Sequence, residues 1–200
     1  MIKNVVFDIG NVLTDFRWSA ALDGMNFAPE VRAVLEREIF LSPLWNEFDR
    51  GVMGDEAVFA AMRKNCGGLD VEFEIVFEHF QEMVTERTYS EPMIRDLQAK
   101  GYGVYILSNY GDTMYNCNAV RFRFLKAVDG AVFSYREKVI KPDPVIYRTL
   151  LSRYSLKADE CVFIDDRQEN VDGAKAVGMD SFRADSEQTI RAGLMERGIL

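Results

Sequence analysis

The sequence predicts an α/β protein in which a parallel sheet is flanked by helices and carries a small inserted all-helical cap. Two apolar runs of strand length, at residues 2–8 and 161–164, end in Asp or lead directly into it. After residue 88, strand and helix patterns alternate, which is typical of a parallel sheet with right-handed crossovers. Residues 19–88 contain only helical patterns. Together these observations predict a Rossmann-like sheet with the helical block inserted after its first strand.

The elements predicted after the insertion follow one another in regular order. The first helix begins near Ser90, where Pro92 occupies a first-turn position, and it ends at Gly101. A buried strand follows at 103–107 and leads into Ser108. Further strands are predicted at 131–133, 161–164 and 181–183, and further helices at 143–154, 169–177 and 187–197.

The inserted block has helix-period segments at 28–40 and 54–65, and acidic residues in the first turn favour the start of the second. After a break at Gly67-Gly68, a third helical pattern covers 70–87. We therefore divide the chain into an α/β core domain of residues 1–16 and 89–200 and a helical cap domain of residues 17–88. A cap inserted at this point would lie over the carboxyl ends of the strands.

Composition limits the classes of partner. A chain of 200 residues suits one domain with a modest insertion, and 48% hydrophobic with 28% charged residues is ordinary for a globular protein. The formal net charge of -8 argues against broad binding to nucleic acid or to an anionic membrane. An anionic substrate would therefore need locally placed positive charge.

The cysteines and the N-terminus favour a reducing cytoplasm. The 3 cysteines are widely spaced and match neither a zinc pattern nor a disulfide framework. Cys161 opens an apolar strand, so we expect a buried thiol. The apolar run near the N-terminus is too short for a signal peptide, and no stretch approaches the length of a membrane span.

Acidic residues stand at the ends of two predicted strands. Asp8 ends the first, and Asp165 and Asp166 follow the strand at 161–164. Each could be a structural Asp that turns the chain or caps a helix. However, ligands bind at the carboxyl ends of strands in open α/β sheets, and carboxylates gathered there repel one another unless a divalent cation lies among them. We predict a Mg²⁺ site with these three residues as ligands, and a nucleophilic Asp within it.

Three further residues could bind an anion. Ser108 and Asn109 follow a buried strand; they could cap a helix, yet hydroxyl and backbone N–H groups at a helix start also bind anions. Lys141 is either a surface lysine or a cation held in place by two nearby prolines that stiffen its loop. We expect these three residues to contact the substrate. The only histidine, His79, lies in the helical block and is expected to be structural.

Taken in order, the segments FDIGNVL, LSN, KPDP and FIDDRQENVDGAKAVGM resemble the motifs of the haloacid dehalogenase superfamily of phosphohydrolases. The resemblance spans the whole chain. It is strongest to the branch that holds sugar-phosphate phosphatases such as alpha-D-glucose-1-phosphatase and the N-terminal phosphatase domain of epoxide hydrolases. In that branch the small helical cap follows the first motif, where the insertion falls in this sequence.

The resemblance implies a Mg²⁺-dependent phosphatase that acts on a small phosphorylated metabolite, in particular a sugar phosphate, through an aspartyl-phosphate intermediate. The implied roles are Asp8 as nucleophile, Ser108 and Lys141 as groups that hold phosphoryl oxygens, and Asp8, Asp166 and the Gly10 carbonyl as metal ligands, with Asp165 bound through water or orienting the others. Neither nucleic acid nor membrane is an expected partner, and the oligomeric state is not predicted.

One position departs from the family pattern. Phosphatases of the superfamily usually carry a second Asp two residues after the nucleophile as general acid and base, and here that residue is Gly10. Such acid–base help is worth roughly 10²–10⁴-fold in rate. The enzyme could be slow, could recruit another group, or could rely on leaving groups that need little protonation. Asp15 is the nearest substitute by sequence, although it could instead brace the loop that leads into the cap.

Two other functions stay open from the sequence. A haloacid dehalogenase would use the same nucleophile without a metal, and the acidic pair at Asp165 and Asp166 argues against it. A scaffold that binds a phosphorylated ligand without turning it over is the second, and Gly10 is the feature that supports it.

Overall fold

A five-stranded parallel sheet forms the centre of the computed structural model, which describes residues 1–200. The strands in chain order are β1 Asn4–Phe7, β2 Thr14–Phe16, β3 Val84–Glu86, β4 Gly103–Ser108, β5 Gly130–Phe133, β6 Cys161–Asp165 and β7 Asp180–Arg183. The sheet order is β5-β4-β1-β6-β7, and every neighbouring pair is parallel. β2 and β3 form a separate antiparallel ribbon. The predicted α/β class and its parallel sheet are confirmed.

The sheet is buried on both faces, which is why its strands are nearly continuous apolar runs. In β1, side chains alternate between the two faces: Val5 and Phe7 belong to the larger apolar core, whereas Val6 belongs to a smaller one. The larger core continues into the helical block through residues such as Phe48 and Phe73. The block and the sheet therefore share one hydrophobic core.

Eleven α-helices surround the sheet or form the helical block. They are α1 Trp18–Gly24, α2 Pro29–Leu35, α3 Pro43–Arg50, α4 Asp55–Asn65, α5 Asp70–Glu78, α6 Ser90–Ala99, α7 Asp112–Asn118, α8 Ser134–Glu137, α9 Pro144–Arg153, α10 Gln168–Ala176 and α11 Glu187–Glu196. A π-helical turn at Glu36–Phe40 extends α2, so the helical pattern over 28–40 is confirmed. The other predicted helices lie within two residues of their expected bounds, except the one at 70–87.

The expectation of a single helix over 70–87 was wrong, as was the absence of strands from the inserted block. α5 ends at Glu78, a 3-10 turn covers Phe80–Met83, and β3 follows. β3 pairs with β2, with Phe16 opposite Val84. Strands of three residues are too short to show an alternating pattern, so only their pairing across the ribbon defines them.

Helix α3 was also missed, although the sequence marks both its ends. The Ser42 hydroxyl accepts a hydrogen bond from the Leu44 N–H, Pro43 is the first helical residue, and Gly51 ends the helix in the left-handed region at φ 68°. Eight residues between these signals are enough for two turns of helix. The omission matters because α3 reaches the candidate active site.

The helical block (residues 18–83) is held against the carboxyl edge of the sheet by hydrogen bonds near α3. The Ser134 hydroxyl, which follows β5, donates to the Asp49 carbonyl at 2.5 Å, and the Lys138 ammonium donates to the Gly51 carbonyl at 2.6 Å. Gly111 permits close approach, since a Cβ there would lie 2.3 Å from the Phe48 ring. These contacts fix the C-terminal end of α3 over the strand ends.

The helices and the cysteines bear on two further expectations. None of the helices has the length and apolar character needed to cross a membrane. All three cysteines are free thiols, and Cys161 is buried at the start of β6 as predicted.

Candidate active site

The strand register brings Asp8 to the edge of the sheet between its two neighbours. Phe7 pairs with Ile106 of β4 and with Ile164 of β6, and the Asp8 N–H donates to the Ile164 carbonyl at 2.9 Å. Asp8 therefore lies level with the end of β6, where Asp165 is the last strand residue. Carboxylate oxygens of Asp8, Asp165 and Asp166 lie within 4.8 Å of one another. The three predicted acidic residues form one cluster.

Lys141 lies inside this cluster. Its ammonium is 2.8 Å from Asp8 Oδ1 and 2.5 Å from Asp165 Oδ2, and only 1% of its side chain is exposed. Burial disfavours the charged ammonium, but the two carboxylates outweigh burial and raise the pKa of Lys141. A buried ammonium ion beside the Asp8 carboxylate provides the local positive charge that an anionic ligand needs in a chain of net negative charge.

The Asp8 carboxylate has capacity left for a ligand. Burial raises its pKa to about 7, the charges of Asp165 and Asp166 act in the same direction, and Lys141 opposes them. Asp8 Oδ1 is buried, and its close polar partner is the Lys141 ammonium at 2.8 Å. A buried carboxylate with one cationic partner, beside two further carboxylates, fits a hard divalent cation, which prefers oxygen ligands and would stabilise the charged form.

The two neighbouring acidic residues differ in their surroundings. The Asp165 carboxylate accepts hydrogen bonds from Lys141, from the Arg167 N–H at 2.9 Å and from the Asn170 amide at 3.0 and 3.1 Å. Asp166 accepts only one side-chain bond, from the Asn11 amide at 3.1 Å. Burial raises the pKa of Asp166 because it disfavours the charged carboxylate, and a bound cation would stabilise that charge. Asp166 is thus free to bind a metal, whereas Asp165 is occupied in holding Lys141.

Asn170 was not anticipated from the sequence. It lies in the first turn of α10 and is 3% exposed, and its amide donates to both oxygens of Asp165. The available signal was a polar amide residue that soon follows an acidic pair on a helix packed against the sheet. Sequence alone does not say that this amide turns back to the strand end, because that depends on the orientation of the helix.

The last residue of β4, Ser108, and the next residue, Asn109, have different surroundings. The Ser108 hydroxyl is buried, and its only hydrogen bond is a long one of 3.4 Å to the Asn109 carbonyl, so it is free to donate to a ligand oxygen. The Asn109 side chain instead accepts from the Lys141 N–H at 2.8 Å and donates to the Lys141 carbonyl at 3.2 Å. Asn109 therefore braces the loop of Lys141, and its side-chain amide is not free as the predicted substrate contact.

A small cavity of about 70 Å³ opens at Gly10, two residues after Asp8. The α/β region contributes Gly10, Asn109 and Tyr110, and the helical block contributes Trp45 and Asp49 from α3. Further walls come from the ribbon and from neighbouring helices: Thr14, Phe16, Phe48, Val84, Gly111 and Met114. The lining is mostly apolar, with few polar groups.

Asp49 is the acidic residue of this cavity that sequence reasoning missed. Its half-buried carboxylate makes no hydrogen bond and no ion pair. Burial raises its pKa to about 7, the charge of Asp8 adds to the rise, and the positive charges of Lys141 and Arg167 oppose it. The buried hydroxyl of Tyr110, on the same cavity, has no hydrogen-bond partner either. Both groups have unused capacity for hydrogen bonds to a ligand.

Comparison with protein families supports the resemblance that the motifs suggested. A family model described as haloacid dehalogenase-like hydrolase matches residues 2–178. The chain belongs to this family. The match covers β1 to α10 and therefore includes the whole acidic cluster, the Lys141 loop and the helical block.

Relatives within the family include proteins of known class and solved structures. The chain is 25% identical over 178 residues to the sesquiterpene phosphatase astK of Aspergillus oryzae, which covers 88% of this chain and 87% of the relative. It is similar, with TM-score 0.73 and 21% identity, to a HAD family enzyme of Bacteroides thetaiotaomicron crystallised with magnesium and inorganic phosphate, covering 92% and 94% of the two chains. The L-2-haloacid dehalogenase of Xanthobacter autotrophicus has TM-score 0.67 at 19% identity, covering 100% and 85%.

Position 10 of this haloacid dehalogenase-like hydrolase, where Gly replaces the usual second Asp, has room for a side chain. Gly10 is outside the left-handed region, and a Cβ at this position would meet only Asp8 Oδ2, at 3.9 Å. The turn is made instead by Asn11, at φ 54°. The space for a side chain at position 10 is therefore open, and it borders the cavity.

Asp15 does not face this cavity. It lies on β2 between Thr14 and Phe16, which both line the cavity, so its side chain points to the opposite face of the ribbon. There its carboxylate accepts from Arg87 at 2.9 Å and pairs with Arg17 at 3.0 Å. These contacts agree with the second role considered for Asp15, in which it braces the chain leading into the cap, and not with a role as acid in the cavity.

Proposed function

We propose that this hydrolase is a Mg²⁺-dependent phosphatase that cleaves a small phosphomonoester through an aspartyl-phosphate on Asp8. The observation that carries the proposal is the buried Asp8 carboxylate, which is ion-paired to Lys141 and clustered with Asp165 and Asp166. A carboxylate can attack phosphorus only if nearby positive charge offsets its repulsion from the phosphoryl oxygens. The magnesium and phosphate present in the structure of the Bacteroides relative support the same assignment.

The chain's own residues account for most of the chemistry. Asp8 attacks phosphorus, the bond to the leaving oxygen breaks, and a mixed carboxylic–phosphoric anhydride forms on Asp8. The Lys141 ammonium and the Ser108 hydroxyl stabilise the phosphoryl oxygens. Water then attacks phosphorus and releases the Asp8 carboxylate and inorganic phosphate. A bound Mg²⁺, with Asp8, Asp166 and the Gly10 carbonyl as ligands, would neutralise further phosphoryl charge.

Asp165 has a positioning role in this proposal. It is fully buried and is held by Asn170 and the Arg167 N–H, so it fixes the Lys141 ammonium at 2.5 Å. In the same way Asn109 fixes the backbone of Lys141. Both residues hold the ammonium where Asp8 needs it, and direct metal binding by Asp165 is not required.

We also propose that the domain boundary expected near residues 16 and 89 separates an α/β core from a helical cap that selects the substrate. The cap supplies Trp45, Phe48 and Asp49 to the cavity, so it contributes part of the wall that a leaving group would meet. A sugar phosphate would need partners for several hydroxyls, and the cavity offers few. The apolar walls favour a leaving group with a compact or apolar body over one rich in hydroxyls.

The experiment is a screen of phosphorylated metabolites, with p-nitrophenyl phosphate as a general probe, in Mg²⁺ and in EDTA. We expect phosphate release in Mg²⁺ that disappears in EDTA and returns when Mg²⁺ is added back. Asp8→Asn, which keeps the size of the side chain, is expected to reduce turnover to background while the melting temperature shows a folded protein. Undiminished turnover in EDTA, or halide release from a 2-haloacid without metal, would contradict the proposal.

A further inference from the structure

Hydrolysis of an ester with a poor leaving group needs a proton donor. When the bond to phosphorus breaks, an alkyl leaving group departs as a strongly basic alkoxide unless an acid protonates it. The residue that usually provides this acid is Gly10 here, and the carboxylate of Asp15 is on the far face of the ribbon, paired with Arg87 and Arg17. A proton donor for the leaving group must therefore come from another part of the chain.

Asp49, on α3 of the helical block, is the acidic residue that lines the cavity. It lines the same cavity as Gly10, and the space where a side chain at Gly10 would lie is open. Its carboxylate has no hydrogen bond or ion pair to hold it in a structural role. An unpaired carboxylate in a mostly apolar cavity is costly for stability, and such groups cluster at functional sites.

The backbone of Asp49 is fixed, which a proton donor requires. Its carbonyl accepts the Ser134 hydroxyl at 2.5 Å, and the same hydroxyl accepts the Tyr110 N–H at 2.8 Å. Ser134 is fully buried at the end of β5, and Tyr110 follows the end of β4. The position of Asp49 is therefore defined relative to the strand ends that carry Asp8 and Ser108.

We propose that Asp49 is the general acid and base of this enzyme, supplied from the helical block in place of the carboxylate that Gly10 lacks. The inference rests on the proposed phosphatase function and assigns the proton transfer within it.

The proton balance closes over one turnover. In the first step an Asp8 oxygen forms a bond to phosphorus, and the bond between phosphorus and the leaving oxygen breaks. The Asp49 carboxylic acid gives its proton to that leaving oxygen. The alcohol departs, and Asp49 is left as a carboxylate. In the second step Asp49 takes a proton from the water that attacks phosphorus, Asp8 is released, and Asp49 is again protonated. No other reactant is needed.

The electrostatic surroundings of Asp49 suit both steps. Burial and the charge of Asp8 raise its pKa to about 7, while Lys141 and Arg167 act in the opposite direction. A group with a pKa near neutrality can both donate and accept a proton at physiological pH.

The test compares two classes of leaving group in Asp49→Asn. An alkyl phosphate needs the proton in the first step, whereas p-nitrophenyl phosphate releases a stable phenolate without it. We expect kcat/KM for the alkyl ester to fall by about 10²-fold or more and that for the aryl ester to fall far less. Because the second step also loses its base, acid quenching during aryl turnover should trap more aspartyl-phosphate than in the wild type.

Asp15→Asn is the matched control, since it makes the same chemical change on the other face of the ribbon. We expect it to keep the wild-type ratio of alkyl to aryl kcat/KM. Equal losses for both esters in a folded Asp49→Asn, or an unchanged alkyl rate, would overturn the proposal. Failure of the proposed function is a distinct result, because the wild type itself would then form no aspartyl-phosphate from either ester.

Discussion

At the scale of single residues, the site is organised around one buried ammonium ion. Lys141 contacts both Asp8 and Asp165, and Asn109 and Asn170 hold its surroundings through their side-chain amides. Leaving a buried charge without its partner costs several kcal/mol, so the loss of any one of these contacts destabilises the groups that remain. Two groups that line the cavity, the Asp49 carboxylate and the Tyr110 hydroxyl, make no hydrogen bond.

The first prediction concerns the open space at Gly10. Adding Gly10→Asp to Asp49→Asn should return a carboxylate to the cavity, because the backbone at position 10 is not left-handed and a Cβ there meets nothing closer than 3.9 Å. We expect kcat/KM for an alkyl phosphate to rise by about tenfold or more over Asp49→Asn alone. The aryl phosphate is the control and should change little. A folded double variant that accelerates both esters equally would contradict this explanation.

The second prediction concerns the cost of Asp49 to stability. Its pKa is raised to about 7 by burial, so the folded protein binds a proton here more tightly than the unfolded chain does. The stability linked to this group is therefore full at low pH and is lost as the pH rises through about 7. Asp49→Asn should melt at a higher temperature than the wild type, by a margin that grows from pH 5 to pH 8. A margin that stays constant or shrinks over this range would disprove the link.

At the scale of elements, α3 is the connection between the helical block and the strand ends. It is bounded by Ser42, Pro43 and Gly51, and its C-terminal end is bound to the loop after β5. The ribbon of β2 and β3 forms the other connection, and it divides its side chains between the cavity and the salt bridges on the far face. The cavity thus depends on two short elements that carry little periodic signal.

The third prediction tests the anchor of α3. Ser134→Ala removes the donor to the Asp49 carbonyl and the acceptor for the Tyr110 N–H, leaving two buried backbone groups unsatisfied. We expect a loss of about 1–3 kcal/mol in the free energy of unfolding for such a change. Loosening the position of Asp49 should lower alkyl phosphate turnover more than aryl turnover.

Ser134→Thr, which keeps the hydroxyl, is the control for this anchor. It should retain more of the alkyl activity than Ser134→Ala at the same temperature, as measured by kcat/KM together with thermal melting. If the alanine variant lost both activities in the same proportion, the anchor would act on the whole site and not on the proton donor.

At the scale of the whole molecule, one shared core joins the helical block to one face of the sheet, and the acidic cluster lies at the carboxyl edge of that sheet. The chain carries a formal net charge of -8, and the cluster adds local repulsion to it. Divalent cation binding should therefore stabilise the entire folded state, because the cation binds the folded cluster and not the unfolded chain.

The fourth prediction measures this linkage without any turnover. At a Mg²⁺ concentration of about 100 times its Kd, the stabilisation is about 2.7 kcal/mol, which corresponds to a rise of roughly 5–10 °C in Tm for a protein of this size. Asp166→Asn removes a carboxylate that has only one hydrogen-bonding side chain, Asn11. We expect this variant to fold and to lose most of the rise. A full rise in Asp166→Asn, or none in the wild type, would contradict the metal site.

Much of the fold and part of the site followed from local patterns. Buried parallel strands are apolar and end at polar residues, so β1, β4 and β6 could be predicted together with Asp8, Ser108 and Asp165 at their ends. The motif order then indicated the family, which the match over residues 2–178 shows. The sequence also revealed the missing carboxylate at Gly10, because that required only a comparison of residue types.

Only the tertiary structure decided which polar side chains bind other protein groups and which remain available to a ligand. Asn109 and Asn170 turn toward Lys141 and Asp165 because of where their loop and helix lie, and no periodicity encodes that direction. The sequence pointed to Asp15 as the nearest substitute acid and did not single out Asp49, yet pleating directs Asp15 away from the cavity and docking of α3 brings Asp49 into it. Strand ends are determined by local hydrophobic pattern, whereas a site shared between distant segments depends on how those segments pack.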